Sequence, residues 1–262
     1  MQLDATLRDR WRRDGDAWHF DMPEGWLQGR SIFGGLTAAA GASLAYRHLD
    51  DPDRALRTLS TQLLAPCVPG PVVGRASTLR AGKNLTFCEV RLRQGDTEVM
   101  VAHAVFAKPR DSALQVAGPP RPEVAAADTL TDMPYLPGII PEFTQHAQMR
   151  WAQGNPPYVG ATDPRFVAHL RYRIPLADAE GALALLDTFP SPSLSLMTTP
   201  APSSTVSWTA HVLRMPVQSD GWYTFGYETV AGTDGFHTVV GHLWAPDGAL
   251  IGYTEQLVVV FA

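Results

Sequence analysis

The polar residues of greatest chemical interest in this sequence are those set among apolar neighbours. Asp187 stands in LALLDTFPSP, beside Leu185 and Leu186, at the end of a segment with helical spacing. A carboxylate there is desolvated and close to a helix C-terminus, where the macrodipole disfavours negative charge. Both effects raise its expected pKa toward that of a general base. The alternative is a surface aspartate where a helix turns into a Pro-Ser-Pro loop. Gln256 stands in YTEQLVVVF, where alternation puts it on one face with Thr254, Val258 and Val260, and Glu255 on the other. A neutral amide among valines needs hydrogen-bond partners, although a glutamine at a sheet margin has the same pattern. Thr205 opens TVSWTAHV with a hydroxyl that both donates and accepts. It is also an ordinary β-branched strand residue, with Ser203, Ser204 and Ser207 close by to take its place.

Other reactive arrangements find little support. Gly41-Ala42-Ser43 is followed by leucine and alanine within a helical run, so it is not the Gly-x-Ser-x-Gly turn of a nucleophilic serine. His237 and His242 are five residues apart, which fits no zinc motif, and no metal or other cofactor is expected. Cys67 and Cys88 are the only cysteines. They are too few for a disulfide framework and lack metal-ligand spacing, which fits a reducing cytoplasm. Gly34-Gly35 opens a helical run, where backbone N–H groups could meet an anion; tight helix packing explains the pair equally well.

Composition narrows the class further. The chain has 262 residues, 45% of them apolar and 18% charged, with a net charge of −5. That excludes a disordered acidic chain and gives no basic face for nucleic acid. The opening MQLDATLRDRWRRDGDAW alternates in charge and lacks the apolar core of a signal peptide. No run approaches 18 apolar residues, so no membrane span is expected, and the expected location is cytoplasmic.

The elements that must hold the polar residues follow from periodicity. GGLTAAAGASLAYRHL (34–49) has three-four spacing of small and apolar residues, which predicts a buried, tightly packed helix. Alternating segments follow at 58–66, 71–94 and 98–107, separated by Pro69-Gly70 and Gly95-Asp96. The second part repeats the order: a strand over 166–175, a helix over 177–189, then strands over 204–216, 221–232, 235–246 and 249–262. Between the last two strands, Asp247-Gly248 reads as a hairpin turn. Residues 111–141 hold six prolines and no sustained periodicity, so they read as a linker. The expected division is 1–110, a linker at 111–141, and 142–262. TLSTQLLAPCVPG aligns with TVSWTAHVLRMPVQSDG at an offset of 147, and QGDTEVMVAHAVF with APDGALIGYTEQLVVVF at about 152. A slowly drifting offset predicts a duplicated α+β fold.

GRSIFGGLTAAAGASL (29–44) resembles the signature that opens the alanine-rich first helix of the acyl-CoA thioesterase II family. LRAGKNLTFCEVRLRQGD (79–96) is similar to a strand and turn of that family, and DGALIGYTEQLVVV (247–260) to its closing strand. The resemblance covers most of the chain except the linker. It implies a double hotdog: two tandem repeats, each with a long helix wrapped by an antiparallel sheet. It also implies hydrolysis of an acyl-CoA thioester by carboxylate-activated water, with Asp187, Thr205 and Gln256 at the positions of the family's Asp-Thr-Gln set. For such a reaction the N–H groups at the helix start, at Gly34 and Gly35, would be the natural donors to the substrate's oxyanion, and Phe33 would line the acyl tunnel unless it belongs to the core. Arg30 and Arg80 are candidates for contact with the nucleotide. The matching first-half places hold Ala40 or Gly41, Thr58 and Ala104, so one active site per chain is expected. Acyl-CoA is the expected partner, and duplicated hotdogs often pair further through their sheets, which allows a homo-oligomer. A non-catalytic acyl-CoA binder on the same fold, or an enoyl-CoA hydratase with an aspartate-histidine pair, are the competing readings.

Overall fold

A computed structural model of the chain describes residues 6–174, 176–216 and 221–262. The first five positions of the expected N-terminal repeat, Pro175 at the end of the expected strand 166–175, and residues 217–220 lie outside the described residues. In chain order the first half contains helix α1 (Thr6–Asp9), strands β1 (Arg12–Asp14), β2 (Ala17–Met22), β3 (Leu27–Gln28) and β4 (Ser31–Ile32), and helix α2 (Gly34–Leu49). Strands β5 (Ala55–Leu63), β6 (Gly70–Ala81), β7 (Leu85–Gln94) and β8 (Thr97–Ala107) complete it. The second half contains β9 (Ala147–Gly154), β10 (Arg165–Tyr172), helix α3 (Asp178–Leu186), β11 (Ser203–Val212), β12 (Tyr223–Thr233), β13 (Phe236–Trp244) and β14 (Leu250–Val260).

Small side chains let most of α2 be enclosed. Every residue from Gly35 to Ala45 is buried, so the helix has no wet face over that stretch and is enclosed rather than laid on a surface. It ends where Asp50 takes a left-handed conformation (φ 48°) and returns its N–H to the Tyr46 carbonyl. The strands follow period two. In β7, Thr86, Cys88, Val90 and Leu92 face inward and the residues between them face out. The expected single segment 71–94 is two strands, β6 and β7, because the chain reverses at Gly82, whose N–H reaches the Leu85 carbonyl at 2.8 Å. The expected helix 177–189 ends earlier, at Leu186. Thr188 turns its hydroxyl back to the Ala184 carbonyl at 2.8 Å, and Pro190 cannot continue the helix.

Twelve strands form one antiparallel sheet in the order β1-β2-β6-β7-β8-β5-β11-β14-β13-β12-β10-β9. Read outward from the β5–β11 pair, the two halves have the same order of strands. The seam is a regular ladder in which Ser60 pairs with Thr209, and Thr209 donates its hydroxyl to Ser60 Oγ at 3.2 Å. Helix α2 packs on β5 to β8, α3 packs on β11, β13 and β14, and the two helices pack on each other. Gly35 permits this last contact, since a Cβ there would lie 3.1 Å from Ala184 Cα. Among the described residues, no helix is long and apolar enough to cross a membrane.

The proline-rich connection is tied to the second half. Trp244 donates its indole N–H to the Pro119 carbonyl at 2.9 Å, and Arg150 donates to the Ala127 carbonyl at 2.7 Å. His169 bonds the Ala125 carbonyl at 2.9 Å.

An ion pair ties the N-terminal segment to α3. Arg8 meets the fully buried Glu180 with two hydrogen bonds, at 2.8 and 3.1 Å, and stacks its guanidinium 3.6 Å from the Tyr46 ring centroid. Burial pushes the Glu180 carboxyl above its ordinary pKa, and Arg8 opposes that push. Removing one partner of such a pair strands a charge. Arg8→Ala is therefore expected to cost about 3 kcal/mol in urea unfolding at pH 7.5, and less as the pH is lowered, because burial raises the pKa of the orphaned carboxyl. A loss below about 0.5 kcal/mol, the scale of an ordinary surface substitution, would show that the pair contributes little.

Candidate active site

Asp187 caps α3 with a non-helical conformation (φ −117°, ψ 5°) that turns its side chain toward the first turn of α2. It is only 8% exposed, so it is not the surface helix-end aspartate of the alternative reading. Gln256 reaches it from β14, donating from Nε2 to Asp187 Oδ1 at 2.8 Å. Thr205, on β11, donates its hydroxyl to Gln256 Oε1 at 2.7 Å. The direction of this chain is forced: an ionised carboxylate only accepts, so the amide must present nitrogen to Asp187 and oxygen to Thr205. Three residues spread over 70 positions of sequence thus form one line of hydrogen bonds.

The first half closes the other side. Gly35 gives its N–H to the Asp187 carboxylate. A Cβ at Gly34 would lie 2.7 Å from Asp187 Oδ2, so only glycine lets the carboxylate approach the backbone this closely. Among the described residues, the Gly34 N–H has no acceptor. The expectation that both glycines meet a substrate oxyanion is thereby narrowed, because the Gly35 N–H is already spent on Asp187. A cleft of about 300 Å³ opens here, lined by Gly34, Thr37, Leu63 and Cys67 from the first half and by Asp187, Thr205 and Gln256 from the second. Arg30 stands at its exposed rim, whereas Arg80 lies outside it, on β6. Among the described residues, no histidine is part of this lining. A larger concavity of about 480 Å³, with Gly226, Glu228 and His242 in its lining, contains none of the three linked residues.

Phe33 is not on the cleft. It is fully buried and stacks on Phe143, with centroids 4.1 Å apart and planes 5° from parallel. It precedes α2, and the ring is drawn into the core between the halves rather than toward substrate. Among the described residues, no three His, Cys, Asp or Glu side chains converge as metal ligands.

The corresponding place in the first half is built differently. Register shifts fall between Leu56 and Thr58 on β5 and between Thr205 and Ser207 on β11. Aligning them makes Leu56, not Thr58, the counterpart of Thr205, and Ala104 the counterpart of Gln256. The Leu56 N–H there donates to the Tyr46 hydroxyl at 2.7 Å, and Arg8 of the Arg8–Glu180 pair lies over the Tyr46 ring. Burial raises the Tyr46 phenol to about 12, so it stays protonated.

Residues 22–107 match the acyl-CoA thioesterase N-terminal domain, and residues 115–260 match the acyl-CoA thioesterase C-terminal domain. Among solved structures, a conserved hot dog protein of unknown function from Alicyclobacillus acidocaldarius is 22% identical, with a TM-score of 0.84 over 98% of each chain. A tesB protein of Mycobacterium avium subs paratuberculosis is 17% identical, with a TM-score of 0.78 over 98% of each chain. An acyl-CoA thioesterase II of Mycobacterium marinum is 14% identical, with a TM-score of 0.76 over 98% of this chain and 97% of that one. These likenesses establish a double hotdog fold. Among curated proteins, none matches by sequence.

Burial pushes the Asp187 carboxyl from 3.8 up to about 7, against the opposing pull of the Gln256 amide and the Gly35 N–H. The main cause is desolvation; the expected effect of the α3 dipole is countered by the α2 N-terminus facing the same group. A carboxyl with a raised folded-state pKa binds its proton more tightly in the folded chain. Folding stability therefore falls as pH rises from about 4 to about 7 and levels off above that. The full effect is about 4 kcal/mol. Asp187→Asn removes the titration, so its stability relative to the parent should improve by about that amount between pH 4 and pH 8 in urea unfolding. A difference that is flat across this range would contradict the raised pKa.

Proposed function

This chain belongs to the acyl-CoA thioesterase family, whose reaction is the hydrolysis of an acyl-CoA thioester to coenzyme A and a carboxylic acid, and on that premise we propose that Asp187 is the general base of the reaction. The observation that carries the proposal is the hydrogen-bonded line Thr205–Gln256–Asp187, which runs from a half-buried hydroxyl to a buried carboxyl whose pKa is raised to about 7. Water enters the cleft between Asp187 and the Thr205 hydroxyl and attacks the thioester carbonyl carbon, while Asp187 takes its proton. Negative charge collects on the carbonyl oxygen, and the free Gly34 N–H at the start of α2 is placed to receive it. Collapse of the intermediate breaks the carbon–sulfur bond, and the proton held by Asp187 goes to the departing thiolate. A carboxyl with an ordinary pKa near 4 would be a weak base for this first transfer; one near 7 is matched to it. The two free cysteines support a cytoplasmic setting. The first half, with Leu56 and Ala104 at the corresponding places, offers no second base or amide, so we assign one site to each chain.

Asp187→Asn is expected to lower kcat at least about 100-fold while leaving the Kd for a non-hydrolysable alkyl-CoA thioether nearly unchanged; near-parental turnover would remove Asp187 from the reaction. In the parent, kcat/KM should rise with pH and level off above about 7, because the base acts when deprotonated. Gln256→Ala removes a hydrogen bond that lowers the Asp187 pKa, so this limb should move to higher pH as turnover falls. Calorimetric titration with the thioether should give one binding site per chain, and two would contradict the single-site assignment.

A further inference from the structure

The cleft lining is of two chemical kinds. At the mouth stand Arg30, Ser203 and Ser204, all exposed. Elsewhere in the lining Ile32, Val99, Phe189 and Val258 are apolar and each between 1 and 4% exposed. The hydrophilic leaving group suits the first kind and the acyl chain the second. Phe189 is the largest of the buried lining side chains and lies two residues beyond Asp187. Its side chain forms part of the cleft lining. The ring is held in an aromatic cluster, stacked on Phe225 with centroids 5.8 Å apart, edge-on to Trp151 at 5.3 Å and tilted on Phe166 at 5.3 Å. The ring is thereby a fixed partition between the cleft and the packed interior of the second repeat. The space it leaves, about 300 Å³, is at the lower limit for ligand pockets, which run to about 1,000 Å³.

We propose that Phe189 closes the acyl end of the cleft and restricts the enzyme to short straight-chain acyl groups. The inference rests on the hydrolytic reading of the site and adds to it a substrate class and the residue that sets it. Each methylene gained or lost in such a pocket changes discrimination about tenfold or more, so the limit should be sharp.

The test measures thiol release from straight-chain acyl-CoAs of about two to twelve carbons, and in parallel the binding of alkyl-CoA thioethers of the same lengths, for the parent, Phe189→Leu and Phe189→Ala. The parent should lose at least about tenfold in kcat/KM between six and ten carbons. Phe189→Ala should extend the efficient range by two or more carbons, and Phe189→Leu, which keeps more of the packing, should extend it less. Should the alanine variant fail to fold, the leucine variant still gives the direction of the shift. A parent that favours ten or twelve carbons, or folded variants that lose activity and affinity equally at every length, would overturn the proposal. Absence of thiol release from every ester, with the predicted length limit intact in thioether binding, would instead refute hydrolysis and leave the role of Phe189 standing.

Discussion

The structure turns on a carboxylate kept out of water at the meeting point of two helix ends. Asp187 leaves the last turn of α3 and arrives at the first turn of α2, where Gly35 donates to it and Gly34 makes room for it. An ionised group in such a place is costly unless its lone pairs are met. Gln256 and Gly35 meet some of them, which is enough to keep the group titrating near neutrality and too little to restore its solution pKa. Full satisfaction would have made it an inert structural acid; none would have kept it protonated at any cellular pH. The packing of α2 against α3 is what sets this intermediate condition, and both helices are buried along most of their length to provide it.

The same sheet order twice over makes the differences between the halves interpretable. Where the second half has Thr205 and Gln256, the first has Leu56 and Ala104, and the space is taken by Tyr46 beneath Arg8 and Glu180. The buried charge there is neutralised by a guanidinium rather than left to titrate, so that place is filled by structure. Each half also depends on the other: the helix start that meets Asp187 comes from the first repeat and the carboxylate from the second.

Local order was legible in the sequence, and long-range contact was not. Three-four spacing located α2 to the residue, and alternation located the strands that bury one face, such as β8 and β14. Strand β9 escaped because AQMRWAQG lies at a sheet edge and carries mixed side chains on both faces, leaving no clean alternation to read. The end of α3 was misplaced because apolar spacing continues to Phe189, although the backbone turns at Asp187. Asp187, Thr205 and Gln256 stood out singly by their apolar surroundings, but nothing in their spacing says that they touch; it was the family resemblance that grouped them. The Gly35 N–H bond to Asp187 and the Arg8–Glu180 pair left no signal at all, since each joins residues more than 150 positions apart. Phe33 illustrates the opposite error: an aromatic beside a candidate site was drawn into the core by Phe143, a partner in the other half.

The tied-down connection between β8 and β9 has a consequence for what the seam may look like. Two separate copies of one hotdog meeting along β5 would have to present identical, self-complementary surfaces, because a twofold assembly uses the same patch on both partners. A covalent tether removes that requirement by fixing the neighbour at millimolar effective concentration, roughly speaking, whatever the strength of the contact. The join then need not be isologous, and β5 and β11 are free to carry different residues, as Ser60 opposite Thr209 and Thr58 opposite His211 do. Tethering is thus the physical condition under which the two repeats can diverge in their residues without weakening the join between them.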